Sequence, residues 1–389
     1  MFKQTRSYKM LPEFYQVCLQ SQLSISQLHT LKLLVWLLQF QKQVRIEKLA
    51  ACLPLPILFE SRRRHLQRFL ILPQLSVALI WLPLIKGMIR TQIKPKNQVI
   101  LSLDRTQWRT NNLFMVSVIW SKRAWPVYWQ FLPKIGSSNL AQQKAILRPC
   151  LRLLKSYRVV VVGDREFHSV KLAAWLAKQK VYFALRQKKA TYIKSLSGDY
   201  QQLRQIDLAA GSKLFLTEVA FTKEKGFGQF NLAAQWPKKS KQKILNEGWY
   251  ILTNLESLAA ALNAYKARSG IEAMFKDCKS GGYNLEDCKA SQERLNRIVL
   301  LIAIAYTCAG LAGQKIKRQG QQKYVNRLTE PRRVEPRHSK FWTGLYGQMW
   351  IAGMEFCRDF VWELMRIRPN KLPFYRRGLS AMNLIQQAL

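Results

Sequence analysis

Two short segments constrain the fold more than any other part of this chain. QVILSLD (98–104) and RVVVVGD (158–164) are aliphatic runs that each deliver an aspartate. Runs of this kind, bounded by polar residues, read as strands buried on both faces, and such strands need other elements layered over them. LFMVSVIW (113–120) and VYWQFL (127–132) follow the first run at hairpin spacing. SNLAQQKAILRPCLRLLKSY then makes a helix capped by Ser138 or Asn139 and bent or ended early by Pro149. A second helix over 168–179 and the strand VYFALR (181–186) come next.

Three neighbouring strands, a crossover helix, another strand and further αβ units are the order of an α/β, ribonuclease-H-like fold. On this reading the core spans 96–187 and 249–316, with the strand WYILTN (249–254) leading into a long helix, and a lysine-dense β-rich insertion occupies 188–248. Residues 1–95 read as a helical DNA-binding domain. Within them VRIEKLAACLPLPILFESRRRHLQRFL has the cadence of a helix-turn-helix, with its second helix capped by Ser61 and exposing Arg62, Arg63, Arg64 and Arg68. A generic basic helical bundle fits the same residues equally. Residues 317–389 are basic and aromatic, and read as helices with an extended arm. The apolar run 298–313 is short for a membrane span and reads as a buried helix. MFKQTRSYKMLPEFYQ has no apolar leader-like region.

A net charge of +41, from 63 Lys and Arg against 22 Asp and Glu, demands a polyanionic partner. Nucleic acid is the first candidate and an anionic membrane surface the second. No basic amphipathic segment stands apart from the core, which argues against a membrane. Seven cysteines without CxxC or Cys-His metal spacing read as reduced thiols in a cytoplasmic setting, with no zinc site.

The chain has only seven aspartates, and two of them, Asp104 and Asp164, end the two strongest strand runs. Either alone could be a turn or cap residue. A third acid stands in AYKARSGIEAMFKDCKSGG (264–282), where Tyr265, Arg268, Glu272, Lys276 and Lys279 fall within an arc of roughly 80° if the stretch is one α-helix. That stripe could be a solvated face with i,i+4 pairs. It could equally be a site in which cations grip a nucleic-acid backbone while the carboxylate holds a metal. Asp104, Asp164 and Glu272, brought together, would bind two Mg²⁺ or Mn²⁺ ions and support in-line phosphoryl transfer.

The set SLDRT, VVGDREF and Y-x₂-R-x₃-E-x₆-K, the last matched at Tyr265, Arg268, Glu272 and Lys279, resembles the DDE transposases of the insertion-sequence-four group. The resemblance covers roughly 97–312. It implies that Asp104, Asp164 and Glu272 are the metal-binding catalytic triad, that Arg268, Lys276 and Lys279 grip phosphates beside the cleavage point, and that Tyr265 lies against the same backbone. It also implies that Trp249 stacks on a base flipped out while a DNA hairpin forms; otherwise Trp249 is an edge-strand core residue. The implied partners are double-stranded DNA, as terminal inverted repeats and target, and a second copy of the chain in a nucleoid-associated homodimer. Gly270 departs from the bulkier residues of many relatives, and glycine inside a helix costs about 1 kcal/mol relative to alanine. The rival expectations are a ribonuclease-H-like nuclease without strand transfer and a basic DNA-binding protein with an inert core.

Overall fold

The computed structural model describes residues 11–194, 198–206, 208–222, 228–236, 248–331 and 337–389. The first ten residues of the leader-free N-terminal reading, the Pro-Lys-Lys cluster of the insertion and Pro336 lie outside the described residues.

In chain order, α1 (Glu13–Gln20), α2 (Ile25–Gln41), α3 (Ile46–Cys52) and α4 (Phe59–Phe69) lead through a π-helical turn, Val77–Trp81, into α5 (Leu82–Gln92). A meander of β1 (Gln98–Trp108), β2 (Asn111–Trp120) and β3 (Arg123–Phe131) is followed by α6 (Leu140–Leu153), β4 (Arg158–Gly163), α7 (Val170–Lys178) and β5 (Tyr182–Arg186). Then come β6 (Tyr192–Lys194), β7 (Tyr200–Gln202), β8 (Lys213–Ala220), β9 (Gln229–Gln235) and β10 (Trp249–Thr253). The remainder is helical: α8 (Leu258–Ala267), α9 (Ser269–Cys278), α10 (Gln292–Arg318), α11 (Gln322–Val325), α12 (Lys340–Phe356), α13 (Arg358–Arg366) and α14 (Leu372–Ala388).

These elements form two compact units. One joins the chain up to Leu84 with Cys278–Leu389; the other is Ile85–Asp277. The cut differs from the sequence reading, which assigned α10 to the core: here α10 belongs with the N-terminal helices.

In the Ile85–Asp277 unit one sheet runs β3-β2-β1-β4-β5-β10-β9-β8. β4 is parallel to both β1 and β5, and the other pairs are antiparallel. Strand side chains alternate between faces. Val160 and Val162 of β4 join a buried cluster with Ala261, Leu262, Ala264 and Tyr265 of α8, so α8 covers that face. α6 starts at an Asn139–Gln142 capping box, which settles the choice between Ser138 and Asn139. Pro149 neither ends the helix early nor stops it before Leu153.

The stretch read as a β-rich insertion carries strands: β8 and β9 extend the main sheet from the edge of β10, and β6 and β7 form a small sheet of their own. An unpaired strand edge must satisfy its backbone N–H and C=O groups, and β9 does so for β10. One expectation changes: the first strand does not end on Asp104. It continues to Trp108 because β2 keeps pairing with it, Asp104 opposite Met115.

In the other unit α10 is the central helix. Tyr15 donates to Thr307 Oγ1 at 2.8 Å, and Gln39 Nε2 donates to the Ala305 carbonyl at 2.9 Å. α10 is long and apolar enough to cross a membrane, yet 83% of its most apolar window is buried in the protein. Gly313 and Gly344 let α10 and α12 touch backbone to backbone, since a Cβ on either would overlap a carbonyl of the other helix. α4 begins at Phe59 with Leu58 as its cap residue and no side-chain cap bond, so Ser61 lies inside the helix and does not cap it. The basic C-terminal region is built mainly from α11 to α14.

Candidate active site

The two aspartates are brought level by strand register. β1 and β4 pair in parallel from Gln98↔Arg158 to Ser102↔Val162, a constant offset of 60 residues. Asp104 lies two residues past that pairing on β1 and Asp164 directly follows β4, close enough for the Asp164 charge to raise the Asp104 carboxyl. Asp104 Oδ1 accepts the Arg105 backbone N–H at 2.8 Å. Asp164 caps the 3₁₀ turn Arg165–Phe167, its Oδ1 accepting the Glu166 N–H at 2.8 Å. The capping use anticipated for such an aspartate is real, and it leaves the second carboxylate oxygen of Asp164 outside that bond.

Glu272 arrives from the other side of the sequence. The stretch 264–282 is not one helix: α8 ends at Ala267, Arg268 turns the chain through i→i−3 bonds, and α9 runs only to Cys278. The five-residue stripe is therefore broken, and Lys279 stands past the end of α9. The glycine in this stretch has a packing reason. A Cβ on Gly270 would meet the Arg123 carbonyl oxygen at 3.0 Å and Ile119 Cδ1 at 3.2 Å. The same hairpin holds the far end of α9 through an Arg123–Asp277 ion pair at 2.9 Å. Gly270→Ala is expected to leave stability within about 1 kcal/mol, helix propensity offsetting the crowding. It should nevertheless lower any activity that needs Glu272 by roughly tenfold, because a displaced α9 misplaces that carboxylate. Thermal unfolding beside single-turnover cleavage separates the two effects.

Arg268 joins the acids. Its Nη1 is 3.6 Å from Asp104 Oδ2, and its Nη2 is hydrogen-bonded to Glu272 Oε1. Burial opposes its charge, but the neighbouring Tyr265, Glu272 and Asp104 hold it firmly protonated. Burial pushes the Asp104 carboxyl up to about 7, against the pull of the Arg105 N–H and the Arg268 charge; the charges of Asp164 and Glu272 push it further the same way. Three acids from three separate segments thus share one electrostatic neighbourhood.

Among the described residues no group of three or more His, Cys, Asp or Glu is arranged to hold a metal ion. With Arg268 between Asp104 and Glu272, one guanidinium serves as the local cation. The donors themselves are hard carboxylate oxygens, and burial disfavours the charged form of Asp104. Those features fit Mg²⁺ or Mn²⁺.

A strut not visible in the sequence ties the two aspartate-bearing segments together. Arg105 Nε donates to both Glu166 oxygens, at 3.0 and 3.3 Å, and its Nη1 donates to Asn112 Oδ1 at 3.0 Å. Glu166 also accepts from the N–H and hydroxyl of Ser138. The pair is largely buried, at 16% and 13% side-chain exposure. Breaking a buried pair from one side strands the other charge. Glu166→Ala is therefore expected to cost roughly 3 kcal/mol by denaturant unfolding, with Glu166→Gln intermediate. The acidic pair in D-R-E was the available signal; the partner lies 61 residues away.

The other anticipated residues are placed as follows. Tyr265 is buried and meets Trp249 edge-on, ring centroids 5.3 Å apart, so both rings serve the core in this conformation. Stacking of Trp249 on a base would require that contact to open. Lys276 is exposed on α9. Lys279 pairs with Glu286 at 2.6 Å. Arg63 and Arg64 of α4 both pair with Glu60, while Arg62 is half-buried. His168 follows the 3₁₀ turn, its Nδ1 2.9 Å from the Arg165 carbonyl.

No curated protein matches the chain. A cryo-EM structure of the piggyBac transposase synaptic complex with hairpin DNA is similar at 12% identity and a TM-score of 0.43, over 97% of this chain and 82% of that one. Residues 134–308, a stretch that carries Asp164 and Glu272, match the family described as Transposase DDE domain.

Proposed function

We propose that this chain is a DNA transposase of the DDE type, of the insertion-sequence-four group, which cuts transposon ends and joins them to target DNA. What supports the reading is that Arg268 pairs with Asp104 and Glu272 while the charges of Asp164 and Glu272 act on Asp104, two of the acids lying within the stretch matched by the transposase family. The strand order β3-β2-β1-β4-β5, with β4 and β5 parallel to β1, supports a ribonuclease-H-like core beneath that site.

In this reading Asp104, Asp164 and Glu272 hold two divalent ions, Mg²⁺ or Mn²⁺. The ions supply activation of a water or 3′-hydroxyl and stabilisation of the leaving oxygen. Arg268 and Lys276 hold the phosphates on either side of the scissile bond, and the Arg105–Glu166 strut fixes the separation of the two aspartates. The substrate is double-stranded DNA carrying terminal inverted repeats, bound by a homodimer through its basic helical regions, and second-strand cleavage proceeds through a hairpin. The test is an incubation of the protein with paired end duplexes and a supercoiled target in Mg²⁺. Nicked ends covalently joined to target are expected. Hydrolysed ends without joining would reassign the chain to the nucleases.

A second reading draws on Arg268, which already neutralises two of the acids: a basic DNA-binding protein with an inert core. If Asp104→Ala or Glu272→Ala leaves every DNA-dependent activity intact, that reading stands and the first falls.

A further inference from the structure

The strand ends opposite the aspartates hold a cleft of about 950 Å³ on the Ile85–Asp277 unit. Val159 at the start of β4 and Val181 just before β5 form its floor, whereas Asp164 follows the far end of β4. Five strand residues at about 3.3 Å each put the cleft on the order of 16 Å from the acids. It is a distinct surface.

Its walls are α6 and α7. Arg148, Arg152, Lys155 and Lys180 line it, with Tyr157 and Trp175 among them. Lys144, one turn before Arg148, lies 6.0 Å from the Trp175 ring. No acid occurs in the sequence between Asp104 and Asp164, nor from Phe167 to Gly198, so nothing local on the chain offsets these charges. Lys144, Arg148 and Arg152 repeat at four-residue spacing, about 6 Å per step along the helix axis, comparable to the step between consecutive phosphates of one strand. None of the large exposed apolar side chains lies on α6 or α7, so the surface lacks what membrane binding requires.

We propose that this cleft is a second DNA-binding site, which holds the phosphate backbone of duplex DNA at the strand ends away from the carboxylates. Arg148, Arg152, Lys155 and Lys180 contact phosphates without reading bases. The site does not rest on the chemistry proposed for the carboxylates, and its test reads binding alone.

Fluorescence anisotropy with duplexes of unrelated sequence, at salt from about 50 to 200 mM, measures the dependence of affinity on salt. Arg148→Ala/Arg152→Ala is expected to flatten that log–log slope by about two and to weaken every duplex alike by roughly tenfold or more. Arg148→Lys/Arg152→Lys, which keeps the charge, should restore the slope. Both arginines are exposed, so unchanged circular dichroism and thermal unfolding confirm a folded variant. An unchanged slope in the folded alanine variant overturns the proposal while leaving the carboxylate reading intact. So does loss of binding to phosphatidylcholine–phosphatidylserine vesicles with DNA binding retained.

Discussion

Asp164→Asn is expected to reduce metal-dependent cleavage of end DNA by on the order of 10³-fold or more, with DNA binding retained or tightened. The magnitude follows from the role: losing a ligand that positions divalent charge removes several kcal/mol of transition-state stabilisation, and each 1.36 kcal/mol is a factor of ten in rate. The substitution is a clean one. An asparagine Oδ1 can still accept the Glu166 N–H, so the turn after β4 should survive while the charge is lost. In the proposed complex, removing a negative charge beside the phosphates also reduces repulsion of the backbone, hence the unchanged or tighter binding. Asp104→Asn and Glu272→Gln should behave alike, and the double variants should be little worse than the singles, because groups that act as a unit are not additive. Single-turnover cleavage beside gel-shift binding checks all three. A cleavage rate within tenfold of the parent in any folded single variant would remove that residue from the site.

Much of the candidate site was legible in the sequence, for a physical reason. Aliphatic runs such as VVVV announce buried strands locally, and an aspartate at the end of one is conspicuous in a chain with so few acids. The spacing from Tyr265 to Lys279 singled out Glu272, which the structure places on Arg268. What local pattern could not supply was pairing. The extent of β1 beyond Asp104 depends on β2, and the membership of β8 and β9 in the main sheet depends on the edge of β10. The turn at Arg268 accompanies the approach of Gly270 to the Arg123 carbonyl. The Arg105–Glu166 pair joins residues 61 positions apart, and no periodicity encodes such a contact. Likewise the apolar run 298–313 spoke to burial, but not to which unit α10 would join.

Asp104 also makes the site pH-dependent in a direction that can be checked without any assay of cleavage. Its carboxyl is raised from 3.8 to about 7 by burial in the folded protein. Between those values the native state keeps a proton that the unfolded chain releases, so metal-free stability is fully present below about pH 4 and declines as pH rises to about 7. The size is on the order of 3 kcal/mol at most, since a buried site relaxes when it ionises. A divalent ion needs the deprotonated carboxylate, and protons compete with it. Mg²⁺ or Mn²⁺ affinity should therefore weaken up to about tenfold per pH unit below about 7 and level off above it. The stabilisation by added Mg²⁺, read as a shift in Tm, should grow over the same interval. Asp104→Asn removes the titrating group, and with it both the metal-free decline and the pH dependence of the Mg²⁺ shift. An equal Mg²⁺ shift at about pH 5.5 and about pH 8 in the parent protein, or its persistence unchanged in Asp104→Asn, would place the ion away from Asp104.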